Sequence, residues 1–170
     1  MKILVFHGSP RAKGNTAWMV DEFRKAAEAA GHGVEVLPVG RMKIAGCLAC
    51  EYCHGKGAGA CVQKDDMEKV MASVRECDAI VFATPVYYAG MTAQISAAIQ
   101  RFYAIGKPPK ATKAALLMSG AAPDFDPATA TYRQFIGVMG LADAGVVTAA
   151  GDENRSPAKA EALAALAKGF

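Results

Sequence analysis

The sequence predicts an α/β fold in which a parallel β-sheet lies between two layers of helices. Short apolar runs alternate with segments of helical periodicity, so that a strand and a helix follow each other five times along the chain. The apolar runs are continuous, which is typical of parallel strands covered on both faces. The predicted strands are residues 3–6, 34–39, 79–83, 114–118 and 146–149.

The segments between the strands carry helical apolar faces with recognisable boundaries. The first predicted helix begins near Asn15 and ends at Gly31, a typical C-cap, and the second is capped by Asp65 or Asp66. Five strands without a sixth favour the flavodoxin-like order 2-1-3-4-5, in which ligands bind at the carboxyl edge between strands 1 and 3. The later helices are marked by Met91, Ile95, Ile99 and Phe102, by Tyr132, Phe135, Ile136 and Met139, and by residues 157–167.

Length and composition predict one globular domain without a nucleic-acid or membrane partner. The chain has 170 residues, and we expect residues 1–170 to fold as a single domain. A formal net charge of +3, with no run of Lys or Arg, is too small to indicate nucleic-acid binding. No apolar stretch has the length of a membrane span, and the apolar start is too short for a signal peptide. We therefore expect a cytoplasmic protein whose cysteines are thiols or metal ligands.

The loop after the first predicted strand combines hydrogen-bond donors with positive charge. Residues 8–16 place hydroxyl, amide and cationic side chains just before a helix N-terminus, whose free N–H groups and dipole attract anions. Glycines in the loop let the backbone approach a ligand closely. The loop therefore predicts a site for one phosphate, and the alternative is a polar turn with a capping residue. The candidate phosphate-binding residues are Ser9, Arg11, Gly14, Asn15 and Thr16.

Two further loops, after predicted strands 3 and 4, lie at the same edge of the sheet. A flat cofactor ring needs an apolar or aromatic wall and a few backbone N–H donors. The segment after strand 3 offers both, and the alternative is a turn whose two tyrosines pack in the core. The segment after strand 4 contributes two small residues. The candidate ring-binding residues are Pro85, Val86, Tyr87, Tyr88, Gly90, Met91, Ser119 and Gly120.

These loops resemble those of a known family. Gly-Ser-Pro-Arg at 8–11 with Gly-Asn-Thr at 14–16 resembles the phosphate loop of the NADPH-dependent FMN reductases and their flavodoxin-fold relatives. Thr-Pro-Val-Tyr-Tyr at 84–88, followed by Met-Thr-Ala-Gln, is similar to the isoalloxazine loop of the same family. The resemblance implies FMN as the cofactor, NAD(P)H as the electron donor, and a homodimer or homotetramer. The chain departs from the family at Ser96 and Gln100, where a Lys and an Asp are usual.

Residues 41–63 form a predicted Cys-rich insertion that breaks the alternation of strands and helices. Its C-x2-C-x2-C-x7-C spacing offers soft ligands for an iron–sulfur cluster or a zinc ion. The motif, followed by Lys-Asp-Asp-Met at 64–67, resembles that of the iron–sulfur flavoproteins, which implies a 4Fe–4S cluster next to FMN. The Gly-rich spacer at 55–59 looks more like that of reductases without a cluster. The candidate ligands are Cys47, Cys50, Cys53 and Cys61.

We expect the insertion to hold free or redox-active thiols, and no cluster, in aerobically purified protein. A connection this long exceeds the usual strand-to-helix loop and indicates a function. Because its base lies at the carboxyl edge of the sheet, we also expect it to reach the rim of the FMN pocket. Cys77, outside the insertion, is expected to be a buried structural thiol.

Two functions are compatible with these patterns. The leading hypothesis is an NAD(P)H-dependent FMN oxidoreductase of the flavin or quinone reductase type, which passes electrons from the nicotinamide through FMN to a small-molecule acceptor. No side chain is assigned as a catalytic acid or base, because the cofactor supplies the chemistry. The alternative is a flavodoxin-like or iron–sulfur flavoprotein carrier that passes electrons between partner proteins. The flavodoxin carriers tend to be acidic, so the net charge of +3 favours the enzyme.

Overall fold

The computed structural model describes residues 1–170 and has the alternating organisation that the sequence predicts. Every predicted strand and helix is present, with boundaries that differ by a few residues. The elements are β1 (Lys2–His7), α1 (Asn15–Ala29), β2 (Gly33–Leu37), α2 (Met67–Glu76), β3 (Ala79–Tyr87), β4 (Gly90–Met91), α3 (Ala93–Arg101), β5 (Lys113–Gly120), α4 (Asp126–Met139), β6 (Ala142–Ala150) and α5 (Pro157–Lys168).

The main sheet has the strand order β2-β1-β3-β5-β6, and all neighbouring strands in it are parallel. This order confirms the predicted flavodoxin-like topology, with β5 and β6 as the predicted fourth and fifth strands. The sheet also has a sixth strand, β4, which pairs antiparallel with the end of β3. Because β4 is two residues long, it leaves no periodic pattern in the sequence.

Two predicted boundaries near the carboxyl edge are wrong. Pro85, Val86 and Tyr87 belong to β3 rather than to a loop, and Pro85 pairs with Ser119 of β5. The strand continues past its apolar run because its last residues pair with other strands, Pro85 with β5 and Val86 and Tyr87 with β4. Met91 therefore lies in β4 and not in the following helix.

The core consists of two apolar layers, one on each face of the sheet. Successive strand residues point to opposite faces, so β1 contributes Ile3 and Val5 to one layer and Leu4 and Phe6 to the other. Helices α1 and α5 cover the first face, and α2, α3 and α4 cover the second. No helix is long and apolar enough to cross a lipid bilayer.

A buried hydrogen-bond network joins β1, β3 and α3 at the carboxyl edge. Thr92 is the N-cap of α3, and its hydroxyl donates to the Gly8 carbonyl at 3.1 Å and accepts from the Ile95 N–H at 3.4 Å. The Thr92 N–H in turn donates to the Thr84 hydroxyl at 3.2 Å. Both threonines are buried. The loops after β1 and β3 are therefore fixed at their bases, where the strand order reverses.

Candidate functional site

A cavity of about 450 Å³ opens at the carboxyl edge of the sheet. Its volume lies within the range of about 300–1,000 Å³ that is usual for small-molecule sites. The loops after β1, β5 and β6 surround it together with the end of β3. The lining residues are Ser9, Arg11, Gly14, Asn15, Thr16, Pro85, Val86, Tyr87, Ser119, Gly120, Ala121, Gly151 and Asn154.

The β1 side of the cavity is an open helix N-terminus. No side chain caps α1, so the first N–H groups of this 15-residue helix remain available to a ligand. Ser9 stabilises the preceding loop, because its hydroxyl accepts from the Arg11 N–H at 3.2 Å. The hydroxyl groups of Thr16 and Ser119 lie 2.7 Å apart in a buried hydrogen bond, which joins this loop to the end of β5. The arrangement suits a small anion.

The opposite wall consists of the last residues of β3. Pro85 and Val86 are half-buried, whereas Tyr87 is 48% exposed and lies beside the cavity. Tyr88 and Ala89 form the hairpin turn, both with positive φ (50° and 60°), and the Tyr88 side chain is fully exposed. The ring wall is therefore formed by Pro85–Tyr87, without Tyr88.

Ten of the thirteen predicted cofactor-binding residues line this one cavity. The other three, Tyr88, Gly90 and Met91, lie in the β3–β4 hairpin and are not part of the lining. Their placement follows from the extension of β3, because these residues then form a hairpin with β4 instead of a loop over the cavity.

Sequence reasoning missed Ala121, Gly151 and Asn154. Asn154 donates from its side-chain amide to the carbonyls of Gly120 and Gly151, both at 3.0 Å, and so joins the loops after β5 and β6. The sequence does contain a signal for Asn154, because the carboxyl ends of all parallel strands lie at the same edge of the sheet. The polar residues that follow the last strand are therefore site candidates by the same reasoning as those after the first.

The four cysteines of the insertion border a second, smaller cavity. Cys47 and Cys50 are exposed, and Cys53 and Cys61 are half-buried. No three His, Cys, Asp or Glu residues converge so as to share a single metal ion. The Nε2 atom of His54 is not free to bind a metal ion, because it lies within hydrogen-bond distance, 2.9 Å, of the Tyr103 carbonyl oxygen.

The insertion is anchored to the C-terminal end of α3 by a buried ion pair. The Arg101 side chain is 2% exposed, and its guanidinium donates to Asp65 at 2.7 Å and to the Ala45 carbonyl at 3.0 Å. Asp65 also accepts from the Ala45 and Met67 N–H groups at 3.1 Å. Burial alone would raise the pKa of the Asp65 carboxyl, but the hydrogen bonds from Arg101 and the two N–H groups outweigh it and lower that pKa.

Gln100, one of the positions that depart from the resembled family, also contacts the insertion. Its side-chain oxygen accepts from the Cys47 N–H at 3.4 Å. Residues 100 and 101 of α3 therefore hold both ends of the Cys-rich segment. Cys77 is fully buried at the end of α2, and burial raises the pKa of its thiol to about 11, as expected of a structural thiol.

The insertion does not form the rim of the large cavity, and this expectation is wrong. None of the residues 41–63 is among those that line it. The chain is close to the cavity just before the insertion, at Gly40, where a Cβ atom would overlap the backbone of the lining residue Ser9. The chain then runs along α3 to its C-terminal end, where Gln100 and Arg101 hold it, and this places the cysteines away from the carboxyl edge.

The strand order, the two helical layers and the position of the cavity define a flavodoxin-like α/β protein. Residues 1–153 match the family of NADPH-dependent FMN reductases, and the chain belongs to that family.

The chain is also similar to curated relatives, and solved structures share its fold. An iron-sulfur flavoprotein of Archaeoglobus fulgidus is 40% identical over 109 residues, which cover 64% of this chain and 49% of the relative. The match thus spans about half the length of this relative. The structure of RosB with bound 8-demethyl-8-formylriboflavin-5'-phosphate superposes with a TM-score of 0.81 at 16% identity, over 99% of this chain and 77% of RosB. The NAD(P)H:quinone oxidoreductase of Methanothermobacter marburgensis has a TM-score of 0.71 at 18% identity, over 99% and 95% of the two chains.

Proposed function

We propose that the chain binds FMN in the large cavity and acts as an NAD(P)H-dependent oxidoreductase that reduces a small-molecule acceptor. The observation that carries the proposal is the pairing of an uncapped α1 N-terminus with the Pro85–Tyr87 wall in one cavity of about 450 Å³. The family membership of residues 1–153 supports the same cofactor.

The residues of the cavity fit a flavin mononucleotide. A Cβ atom at Gly14 would lie 3.4 Å from the Arg11 Cβ and 3.8 Å from the Ser9 hydroxyl, so a side chain there would begin to fill the anion cradle. The cradle suits a single phosphate, and Arg11 adds a positive charge beside it. Pro85, Val86 and Tyr87 offer an apolar and aromatic surface to a flat ring.

Each group of residues has a separate task in this proposal. Bound FMN would supply the redox chemistry. The α1 N-terminus, Ser9 and Arg11 hold the phosphate and so fix the position of the ligand. The Thr16–Ser119 hydrogen bond keeps the two neighbouring loops together. Pro85–Tyr87 exclude water from one side of the site.

FMN binding is tested by fluorescence titration of the FMN-free protein with FMN, FAD and riboflavin. We expect FMN to bind most tightly, because the cradle accommodates one terminal phosphate. Arg11→Ala removes a charge-assisted contact and should weaken FMN binding by about 1–3 kcal/mol. Lys168→Ala, at the end of α5, removes the same charge far from the cavity and serves as the control. Unchanged FMN affinity in Arg11→Ala would exclude this loop from the site.

The oxidoreductase and the carrier are distinguished by adding NADPH or NADH to the FMN-loaded protein without oxygen. Rapid loss of the yellow absorbance, and its return when a quinone or free flavin is added, supports the oxidoreductase. If the absorbance falls only when a separate reductase is present, the chain is an electron carrier between proteins.

We further infer that the four cysteines hold a 4Fe–4S cluster. All four border one cavity, and the relatives of 31–40% identity include several named iron-sulfur flavoprotein. Each cysteine of such a cluster binds a different iron atom, so the thiols need not converge on one point. A bound cluster would supply one-electron transfer, and Cys47, Cys50, Cys53 and Cys61 would be its ligands. The expectation of free or redox-active thiols concerns aerobically purified protein, whereas the cluster is proposed for protein prepared without oxygen.

Iron and acid-labile sulfide in anaerobically prepared protein test the cluster. About four of each per chain are expected, with loss of both in Cys47→Ser and Cys50→Ser while FMN is retained. Cys77→Ala, which changes a buried thiol outside the insertion, should keep the iron. If iron and sulfide are absent after anaerobic reconstitution, the insertion holds free thiols.

A further inference from the structure

Arg155 contacts the phosphate loop from the far end of the chain. Its Nε atom donates to the Asn15 side-chain oxygen at 3.0 Å, and one terminal nitrogen donates to the Lys13 carbonyl, also at 3.0 Å. Residues 15 and 155 are 140 positions apart, and residue 155 lies outside the segment that matches the family. The contact joins the start of α1 to the loop that precedes α5.

The backbone of Arg155 has an unfavourable conformation. Its φ of 64° lies in the left-handed region, which is unfavourable for a residue other than glycine because of the Cβ atom. Such residues persist where the surrounding structure requires them, and they are concentrated at binding sites. Glycine would adopt this turn without strain, so the turn itself does not explain an arginine here.

The neighbouring Asn154 connects the same segment to the cavity. It lines the cavity and bonds to the Gly120 and Gly151 carbonyls, while its own side-chain oxygen is buried without a partner. Residues 154 and 155 therefore link the loops after β1, β5 and β6. The two helices that begin here differ, because Ser156 caps α5 whereas α1 has no side-chain cap.

We propose that Arg155 is a positioning residue for the phosphate of the ligand, an inference that rests on the proposed FMN site. By occupying the oxygen of Asn15, Arg155 leaves the amide N–H groups of that side chain as donors toward the cavity. By holding the Lys13 carbonyl, it fixes the loop that precedes the open N-terminus of α1. The guanidinium also adds a positive charge near the anion cradle.

The test compares FMN with riboflavin, since the two ligands differ only in the phosphate. Arg155→Ala should weaken FMN binding about tenfold, as expected for the loss of charge-assisted contacts, and should leave riboflavin binding unchanged. Arg155→Lys keeps the charge without the two-pronged contact and should restore part of the affinity. Arg133→Ala, which removes an exposed arginine paired with Asp143, is the control and should leave both affinities unchanged.

Arg155→Gly separates binding from folding. The substitution removes the strain at φ 64°, so the FMN-free protein should be at least as stable as the parent in thermal unfolding, while FMN binding is weakened as in Arg155→Ala. In an Asn15→Ala background, Arg155→Ala should cost less FMN affinity than it does alone, because the two side chains act together.

Three outcomes decide between the hypotheses. If the parent protein binds neither flavin, the proposed FMN site is wrong. If the parent binds FMN and Arg155→Ala leaves its affinity unchanged, Arg155 has no positioning role and the FMN site stands. If Arg155→Ala weakens FMN and riboflavin equally, Arg155 supports the fold of the cavity in general, and its assignment to the phosphate is overturned.

Discussion

Gly8 lies where the end of β1 passes directly over α3. A Cβ atom at this position would overlap the Ile95 side chain, which is fully buried, and it would lie 3.2 Å from the Thr92 hydroxyl. The loop that follows β1 can therefore leave the sheet at this point only because residue 8 has no side chain. Loop and helix are in contact at the base of the cavity.

Gly8→Ala should destabilise the protein by about 1–3 kcal/mol, because the added methyl group overpacks a buried contact. Gly137→Ala, in the last turn of α4 with open space around it, should stabilise by at most about 0.5–1 kcal/mol through helix propensity. Urea unfolding of both variants measures the difference. Equal stability of the two variants would contradict the predicted contact between Gly8 and α3.

The Asp65–Arg101 pair predicts a large effect at a position away from the cavity. Asp65→Asn leaves a buried guanidinium without its counter-charge and should cost about 3–5 kcal/mol near neutral pH. Glu68→Gln, which removes one partner of an exposed pair with Lys64, is the control and should change stability by no more than about 0.5 kcal/mol.

The same pair predicts the direction of a pH dependence. The pKa of Asp65 is lowered in the folded protein, so its contribution is fully present above the ordinary carboxyl pKa, near 4, and is lost as the pH falls through the folded value. The difference in unfolding free energy between the parent and Asp65→Asn should therefore shrink below about pH 4. A difference that grows on acidification would show that the carboxyl is not held ionised by Arg101.

Single residues of the site were predictable where they are neighbours in the sequence. Ser9, Arg11, Asn15 and Thr16 fall within one loop, so their donors and charge could be recognised together. Arg155 could not be recognised, since it reaches Asn15 only after β6 has completed the sheet and α5 has packed beside α1. A contact across 140 residues leaves no local pattern.

At the scale of elements, the β3–β4 hairpin is the part that the sequence did not reveal. Its two-residue turn needs positive φ at both central positions, and here Tyr88 and Ala89 adopt it. Asn and Gly are the usual residues in such turns, so the sequence lacks the signal that marks a hairpin. The Cys-rich insertion, in contrast to the hairpin, could be recognised in the sequence from its length and its four cysteines. The spacing of the cysteines did not predict that they lie beside α3.

Ala89→Gly should stabilise the hairpin by about 1 kcal/mol, because glycine adopts the left-handed conformation without the Cβ clash. The same substitution at the exposed Ala72, within α2, should have the opposite sign and cost about 1 kcal/mol. Thermal unfolding of both variants provides the comparison. Destabilisation at both positions would show that the turn does not have positive φ at residue 89.

At the scale of the whole molecule, strand order could be predicted because it follows from general rules. Continuous apolar strands joined by helices require a parallel sheet with both faces covered, and the number of strands then favours one arrangement. The convergence of the loops at one edge follows from that order. This is why ten predicted residues meet in one cavity although they come from three separate segments.

Two exposed tyrosines beside the cavity suggest that copies of this chain associate. Tyr88 is fully exposed and Tyr87 is 48% exposed, and both lie in the segment that borders the open side of the site. Tyrosine is enriched at protein interfaces because it combines a large apolar ring with a polar group. We propose that the protein is a homodimer or homotetramer in which a second copy covers this hairpin and completes the substrate pocket.

Light scattering at micromolar concentration tests this assembly, and the parent protein should have the mass of a dimer or tetramer. Tyr88→Ser should raise the dissociation constant of the assembly at least about tenfold, since a buried interface tyrosine contributes more than about 1 kcal/mol. Val138→Ser changes another exposed apolar residue, 67% exposed on α4, and should leave the mass unchanged. Because Tyr88 is not part of the cavity lining, its replacement should leave FMN affinity of the separated chains intact while acceptor reduction falls. A fully active monomer would contradict the proposed covering of the site.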